Sequence, residues 1–204
     1  MSIVPDRLAS ALRGSLAPIV RSLHTLGVGA NTVTVFGFLL TVLGAALLAL
    51  GQPALALVTL LLGTLCDTLD GALARAAGGG TRFGSFLDST LDRLSDAALA
   101  IAAVQLGTTV PDALLYVGGL ALLVASFLVP YIRAKAESLG EGASVGVAPR
   151  EARVTLYLVG VAAWAVTGFS SFFAAAVALA AFLATLTVLQ RIAHMANALN
   201  EKKG

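Results

Sequence analysis

Residues 67–75 read D-T-L-D-G-A-L-A-R, residues 76–83 A-A-G-G-G-T-R-F, and residues 84–92 G-S-F-L-D-S-T-L-D. Asp67 and Asp70 are three apart, and Asp88 and Asp92 are four apart. Residues at those spacings share one face of a helix. Each pair therefore projects from one side of its own helix, and a Gly-rich turn joins the two helices. That arrangement predicts an antiparallel, closely spaced pair on which four carboxylates converge. Four repelling charges at a membrane edge call for cations. Hard carboxylate oxygens suit Mg²⁺, Mn²⁺ or Ca²⁺ rather than zinc.

The flanks explain why this is a membrane edge. Of 204 residues, 58% are hydrophobic and 12% charged, and the mean hydropathy is +0.92. A soluble domain carries about 25% charged residues. A span needs roughly 20 apolar residues. Six stretches qualify, at about 32–51, 54–75, 84–106, 113–137, 152–169 and 172–194. Pro130 is expected to kink the fourth. Ahead of them, residues 5–24 place Leu8, Leu12, Leu16, Ile19, Val20 and Leu23 on one stripe, with Arg7, Arg13 and Arg21 on other faces. That is the pattern of an amphipathic helix lying in the interface; an ordinary leading helix packed on the bundle is the alternative. The expected fold is all-α: an integral membrane domain over 1–204, with six transmembrane helices and an N-terminal interfacial helix.

Orientation follows from the basic residues. The turns at 51–53, 107–112 and 169–171 contain no Lys or Arg, and all 13 basic residues fall at the other end. Both termini and the carboxylates are thus expected on the cytoplasmic side of the cell membrane, with Asp112 the sole charge opposite. The one cysteine, Cys66, allows no internal disulfide and reads as a packing residue. No cleavable signal peptide is evident. His24 and His194 lack ligand partners at useful spacing. The acids belong to one hairpin with no echo in the second half, which argues against an inverted-repeat transporter. An ion channel or transporter would also need polar groups near mid-membrane with access from both sides.

Intramembrane acids are functional by default; the alternative, that Arg75, Arg82 and Arg93 merely neutralise end charges, leaves their matched faces unexplained. Two ions about 3.5–4 Å apart would clamp a pyrophosphate for phosphoryl transfer. Gly71, Ala74 and Gly84 leave room for a ligand, and Arg75 can offer its planar fork to phosphate oxygens. A nucleophilic hydroxyl needs a base, and the carboxylate nearest the acceptor is the natural candidate.

Asp67, Asp70, Gly71, Ala74, Arg75, Gly84, Asp88 and Asp92, at these spacings, match without a gap the signature of the CDP-alcohol phosphotransferases. The chain resembles that family over essentially its whole length. The resemblance implies a homodimer that transfers a phosphatidyl group from CDP-diacylglycerol to an alcohol and releases CMP, with Mg²⁺ or Mn²⁺ as cofactor. It makes Asp67, Asp70, Asp88 and Asp92 the metal ligands and Asp92 also the base. Gly71, Ala74 and Arg75 would line the nucleotide and its phosphates. No nucleic acid is implied as a partner.

Lys135, Arg150, Arg153 and Arg191 bring further positive charge to the same end. Cations are unfavourable at a helix N-terminus, so Arg150 and Arg153 need an anion partner. A phosphorylated acceptor fits. The chain looks most like the bacterial phosphatidylinositol-phosphate synthases and their archaeal ether-lipid relatives, in which Lys135, Arg153 and Arg191 would hold the phosphate of inositol 1-phosphate. It departs from them at Arg133 and Lys135, where the usual order is Lys then Arg, in the 149–153 run, and at Ala30, where a Pro is usual. Asn31 is expected to cap the first span, and Asn31 and Thr34 to face the nucleotide. Glycerol 3-phosphate is the alternative acceptor.

Overall fold

Why each helix starts and stops is legible in the computed structural model, which describes residues 17–201. The described chain is all-helical. A first helix, α1, covers 17–25. It is followed by α2 (Ala30–Ala49), α3 (Pro53–Ala76), α4 (Arg82–Thr109), α5 (Ala113–Ser138), α6 (Arg150–Thr167) and α7 (Ser170–Glu201). Pro53 opens α3 at its first turn, where a missing N–H costs nothing. Thr81 caps α4 by accepting from the Gly84 amide at 2.9 Å. Asp112 caps α5, accepting from the Leu114 and Leu115 amides at 2.8 and 3.2 Å. Gly168, at φ 78°, ends α6 in the left-handed conformation that glycine adopts most readily.

α2, α3, α5 and α7 are long and apolar enough to cross a membrane, which makes the chain a membrane protein. α4 and α6 fall short of that standard. The charges that build the site occupy the N-terminal turns of both, with Arg150, Glu151 and Arg153 all in α6. Of the predicted leading helix, Leu8, Leu12, Leu16, Arg7 and Arg13 lie outside the described residues. Within them, α1 packs Val20 and Leu23 against Val33, Leu69 and Leu73, while Ile19 is exposed.

The bundle pairs α2 with α3 and α4, α5 with α4 and α7, and α6 with α3 and α7. α3 and α4, consecutive in sequence, are not a closely packed pair. This corrects the expectation of a tight hairpin: α2 packs against both, and its small residues explain how. A Cβ at Gly37 would lie 2.8 Å from the Cys66 Cβ, and one at Gly63 would lie 3.1 Å from the Gly37 carbonyl. The α2 and α3 backbones therefore approach closely, and Cys66 has the packing role expected of it. Further along, Tyr157, Trp164 and Phe173 form one aromatic core between α6 and α7. The Tyr157–Phe173 edge contact spans 4.9 Å between centroids, and the Trp164–Phe173 stack 6.0 Å. α5 runs unbroken through Pro130.

The segment between α5 and α6 is strapped to α7. The Val147 amide donates to Gln190 Oε1 at 3.1 Å, and the Ala148 amide to Thr187 Oγ1 at 3.0 Å. Arg191 Nε donates to the Val145 carbonyl at 2.9 Å, and its Nη1 to the Val129 carbonyl. This strap delivers the start of α6 to the acidic cluster.

Candidate active site

One carboxylate oxygen from each of Asp67, Asp70 and Asp88 lies within 4.8 Å of the other two. Asp67 is exposed, Asp88 half-buried and Asp70 only 8% exposed. Asp70 Oδ2 is buried without a protein partner. An unsatisfied buried carboxylate oxygen is costly. Three convergent hard oxygens, with an unpartnered carboxylate oxygen on one of the three residues, are a donor set that fits Mg²⁺ or Mn²⁺.

Asp92, the fourth predicted ligand, stands apart from that triad. Its Oδ1 meets Arg150 Nη1 at 2.9 Å, and its Oδ2 meets Arg93 Nη2 at 3.5 Å. The same Arg150 Nη1 lies 3.6 Å from Asp67 Oδ2, and Arg150 Nε donates to Asp96 Oδ1 at 3.3 Å. Asp96 Oδ2 accepts from Arg153 Nη2 at 3.3 Å, and both of those side chains are 5% exposed. Arg153 Nη1 also donates to the Ala148 carbonyl at 3.0 Å. The anion expected beside the α6 N-terminus is thus supplied by the protein's own carboxylates. Asp96 is the residue whose role the sequence left unread. Its signal was its place one turn beyond Asp92 on the same face.

Two cavities meet at this cluster and share Thr34 and Asp70. One, of about 400 Å³, is lined by Asn31, Thr34, Gly71, Ala74 and Gly84, together with Asp70, Asp88 and the backbone of the α3–α4 turn. Five of the six residues assigned to the CDP-lipid are therefore gathered in one place. Arg75, the sixth, lies on the surface, its Nη1 3.4 Å from where a Gly71 Cβ would stand. A Cβ on Gly71 would meet nothing closer than that, so no packing requirement explains this glycine. At Gly84 a Cβ would lie 2.9 Å from Asn31 Oδ1, so this glycine makes room for the carboxamide. Asn31 does not cap α2: the cap position is Gly29, and no side chain caps it. Asn31 sits one residue inside the helix and turns into the cavity.

The other cavity, of about 380 Å³, has Asp67, Asp92, Arg150 and Glu151 among its polar lining and Leu60, Leu99 and Leu158 among its apolar lining. Of the four cations predicted for an acceptor phosphate, Arg150 alone lines it. Lys135 is exposed on α5, and Arg191 is buried on α7 against the strap.

A helical membrane protein with a carboxylate triad between two such cavities is built to hold a divalent ion against a phosphate-bearing ligand. The comparisons agree. A model of CDP-alcohol phosphatidyltransferases matches residues 28–195, and the chain belongs to that family of metal-dependent transferases of phospholipid synthesis. It is 35% identical to an archaetidylinositol phosphate synthase of Pyrococcus horikoshii over 92% of this chain and 94% of that one. It is 33% identical to a phosphatidylinositol phosphate synthase of Mycobacterium tuberculosis over 78% of this chain and 75% of that one. A crystal structure of the M. tuberculosis phosphatidylinositol phosphate synthase with CDP-DAG bound superposes with a TM-score of 0.79. Identity there is 32%, covering 86% of this chain and 90% of the other. A second, in complex with manganese and citrate, gives a TM-score of 0.78 over 86% of each chain.

Proposed function

We propose that this protein transfers a phosphatidyl group, or its ether-lipid equivalent, from a CDP-linked lipid to inositol 1-phosphate, releasing CMP. The observation that carries this is the shared wall between the two cavities. Asp70 borders both, so a diphosphate in the small-residue cavity and an acceptor hydroxyl in the other meet at the carboxylates.

Asn31, Thr34, Gly71, Ala74 and Gly84 receive the nucleotide, with Arg75 at the mouth for its phosphates. Asp67, Asp70 and Asp88 hold one divalent ion, and Asp92 shares with them in holding a second. When bound, the ions supply charge neutralisation at the diphosphate oxygens. Asp92 takes the proton of the acceptor hydroxyl. The hydroxyl oxygen forms a bond to the lipid-side phosphorus, the bond from that phosphorus to the oxygen of the CMP phosphate breaks, and CMP carries away the electron pair. Lys135, Arg150, Arg153 and Arg191 make the acceptor side positive. Arg150 is the one that reaches the phosphate, and Arg153 and Arg191, tied down by protein acceptors, contribute through their field.

In this reading the whole chain is one domain. α4 and α6 complete a six-span bundle, the leading helix lies in the interface, and the protein acts as a homodimer with the site and both termini cytoplasmic. Orientation is checked with Gln52→Cys and Gly79→Cys: only the first reacts with an impermeant maleimide added outside intact cells.

The activity test is CMP release by purified protein with Mg²⁺ or Mn²⁺ and either CDP-diacylglycerol or its ether analogue. Inositol 1-phosphate, glycerol 3-phosphate, free inositol and serine are compared as acceptors. Release with inositol 1-phosphate alone, lost in Asp92→Asn, is expected. Release with glycerol 3-phosphate instead keeps the chemistry and reassigns the acceptor. No CMP with any pair, from folded protein with metal, overturns the proposal.

A further inference from the structure

The acidic face carries five carboxylates, Asp67, Asp70, Asp88, Asp92 and Asp96, and three guanidiniums touch it, those of Arg93, Arg150 and Arg153. One divalent ion fits the Asp67–Asp70–Asp88 triad. A second ion would need the oxygens of Asp92. The place where its oxygens would converge is already filled: Asp92 Oδ1 and Asp67 Oδ2 approach one atom, Arg150 Nη1, at 2.9 and 3.6 Å. These are oxygens of two of the four predicted metal ligands, and the cation between them belongs to the protein.

Resting on the two-ion transferase reading above, we propose that Arg150 is a resident cation in the place of the second divalent ion. That ion enters only as the Arg150 guanidinium withdraws from Asp67 and Asp92, and the withdrawn guanidinium is then free for the acceptor phosphate. Asp96 makes the exchange feasible. Its Oδ1 holds Arg150 Nε at 3.3 Å, a different nitrogen from the one that meets Asp92, while Oδ2 is satisfied by Arg153. Arg150 therefore keeps one anchor when it gives up the others, and a half-buried guanidinium is not left unpaired. Its side chain is 26% exposed and lines the apolar-walled cavity, so there is space for it to move into. The strap pinned by Thr187, Gln190 and Arg191 fixes the α6 N-terminus, so the change is a side-chain excursion and needs no helix displacement. The consequence is an order of assembly: one ion binds to the resting protein, and the second binds weakly until a nucleotide diphosphate adds negative charge.

The test uses Mn²⁺ alone, with no nucleotide, titrated into the purified full-length protein in detergent. Free Mn²⁺ is read by its paramagnetic resonance signal. Wild type is expected to bind one ion tightly and a second at least about tenfold more weakly, a gap of about 1.4 kcal/mol. Arg150→Gln removes the competing charge and leaves a neutral side chain of similar polarity. In it the weak class tightens about tenfold or more, and the tight class shifts by less than about threefold. Arg150→Lys keeps the charge but cannot span Asp92 and Asp96 together, and it should tighten the weak class by a smaller factor. Two equal classes in wild type, or no tightening in whichever variant elutes as a monodisperse species, overturns the proposal. Two ions bound and CMP released, with no effect of Arg150, overturns this inference alone. No Mn²⁺ bound and no CMP released by wild type overturns the transferase reading with it.

Discussion

Asp67, Asp70 and Asp88 on one side, and Asp92 and Asp96 on the other, are the same residue type at the same helical spacings. The molecule divides them, with Asp67 on the boundary: it contributes to the triad, and its Oδ2 also lies 3.6 Å from Arg150 Nη1. The first three turn oxygens toward a common point, and Asp70 is left with a buried, unpartnered atom. The other two are gripped by arginines, two of them from the start of α6. A row of carboxylates is thus divided into an open half and a clamped half by a helix that begins more than fifty residues later in the chain. The open half has the donors of a metal site. The clamped half ties α6 to α4 and holds its own cations in reserve. Chemical identity and periodicity do not distinguish the halves; the tertiary partner does.

If the division is right, substitutions in the two halves fail differently. Asp88→Asn, in the open half, is expected to cut CMP release by about 10³-fold, about 4 kcal/mol of transition-state stabilisation, while leaving thermal stability near wild type. A large loss of melting temperature in that variant would erase the contrast. Asp96→Ala, in the clamped half, leaves Arg153 buried without its counter-charge and should lower stability by about 3 kcal/mol, read by thermal unfolding in detergent. An unchanged melting temperature would show that the clamp is not structural.

The two cavities allow a finer comparison. Gly71→Val adds bulk to the lining of the small-residue cavity at a position where a Cβ would meet nothing closer than 3.4 Å. It should raise the KM for the CDP-lipid about tenfold, or about 1.4 kcal/mol, with stability preserved. An equal rise in the KM for the acceptor would mean that the cavities do not divide the two substrates. Tyr157→Phe, at the apolar wall of the other cavity, removes only the hydroxyl that donates to the Leu99 carbonyl at 2.7 Å. It should cost about 1 kcal/mol of stability and change neither KM.

Much of this was legible in the chain. Helix ends fell within three residues of expectation, apart from the last, where α7 continues to Glu201 rather than stopping near 194. Gly, Pro and capping residues punctuate an apolar sequence strongly. Five of the six residues assigned to the CDP-lipid line one cavity, because the motif places small residues one turn from the acids on the same faces. Asn31 was assigned to the cavity but misread as a cap. The close α3–α4 hairpin was wrong for a related reason: a short turn limits how far apart two helix ends are, not which helix packs between them.

What the sequence by itself determined is therefore what rides on local periodicity and composition. That includes the helices, the polarity of their ends, and which side chains share a face. What only the tertiary structure decided is which charges meet. Arg150 and Arg153 were predicted to need an anion, and they found it 54 and 57 residues away on α4. That pairing depends on α2 packing against both α3 and α4 and on the strap to α7. A helix N-terminus repels cations wherever it lies, but the carboxylate that compensates is set by packing across the bundle, and sequence spacing carries no record of it.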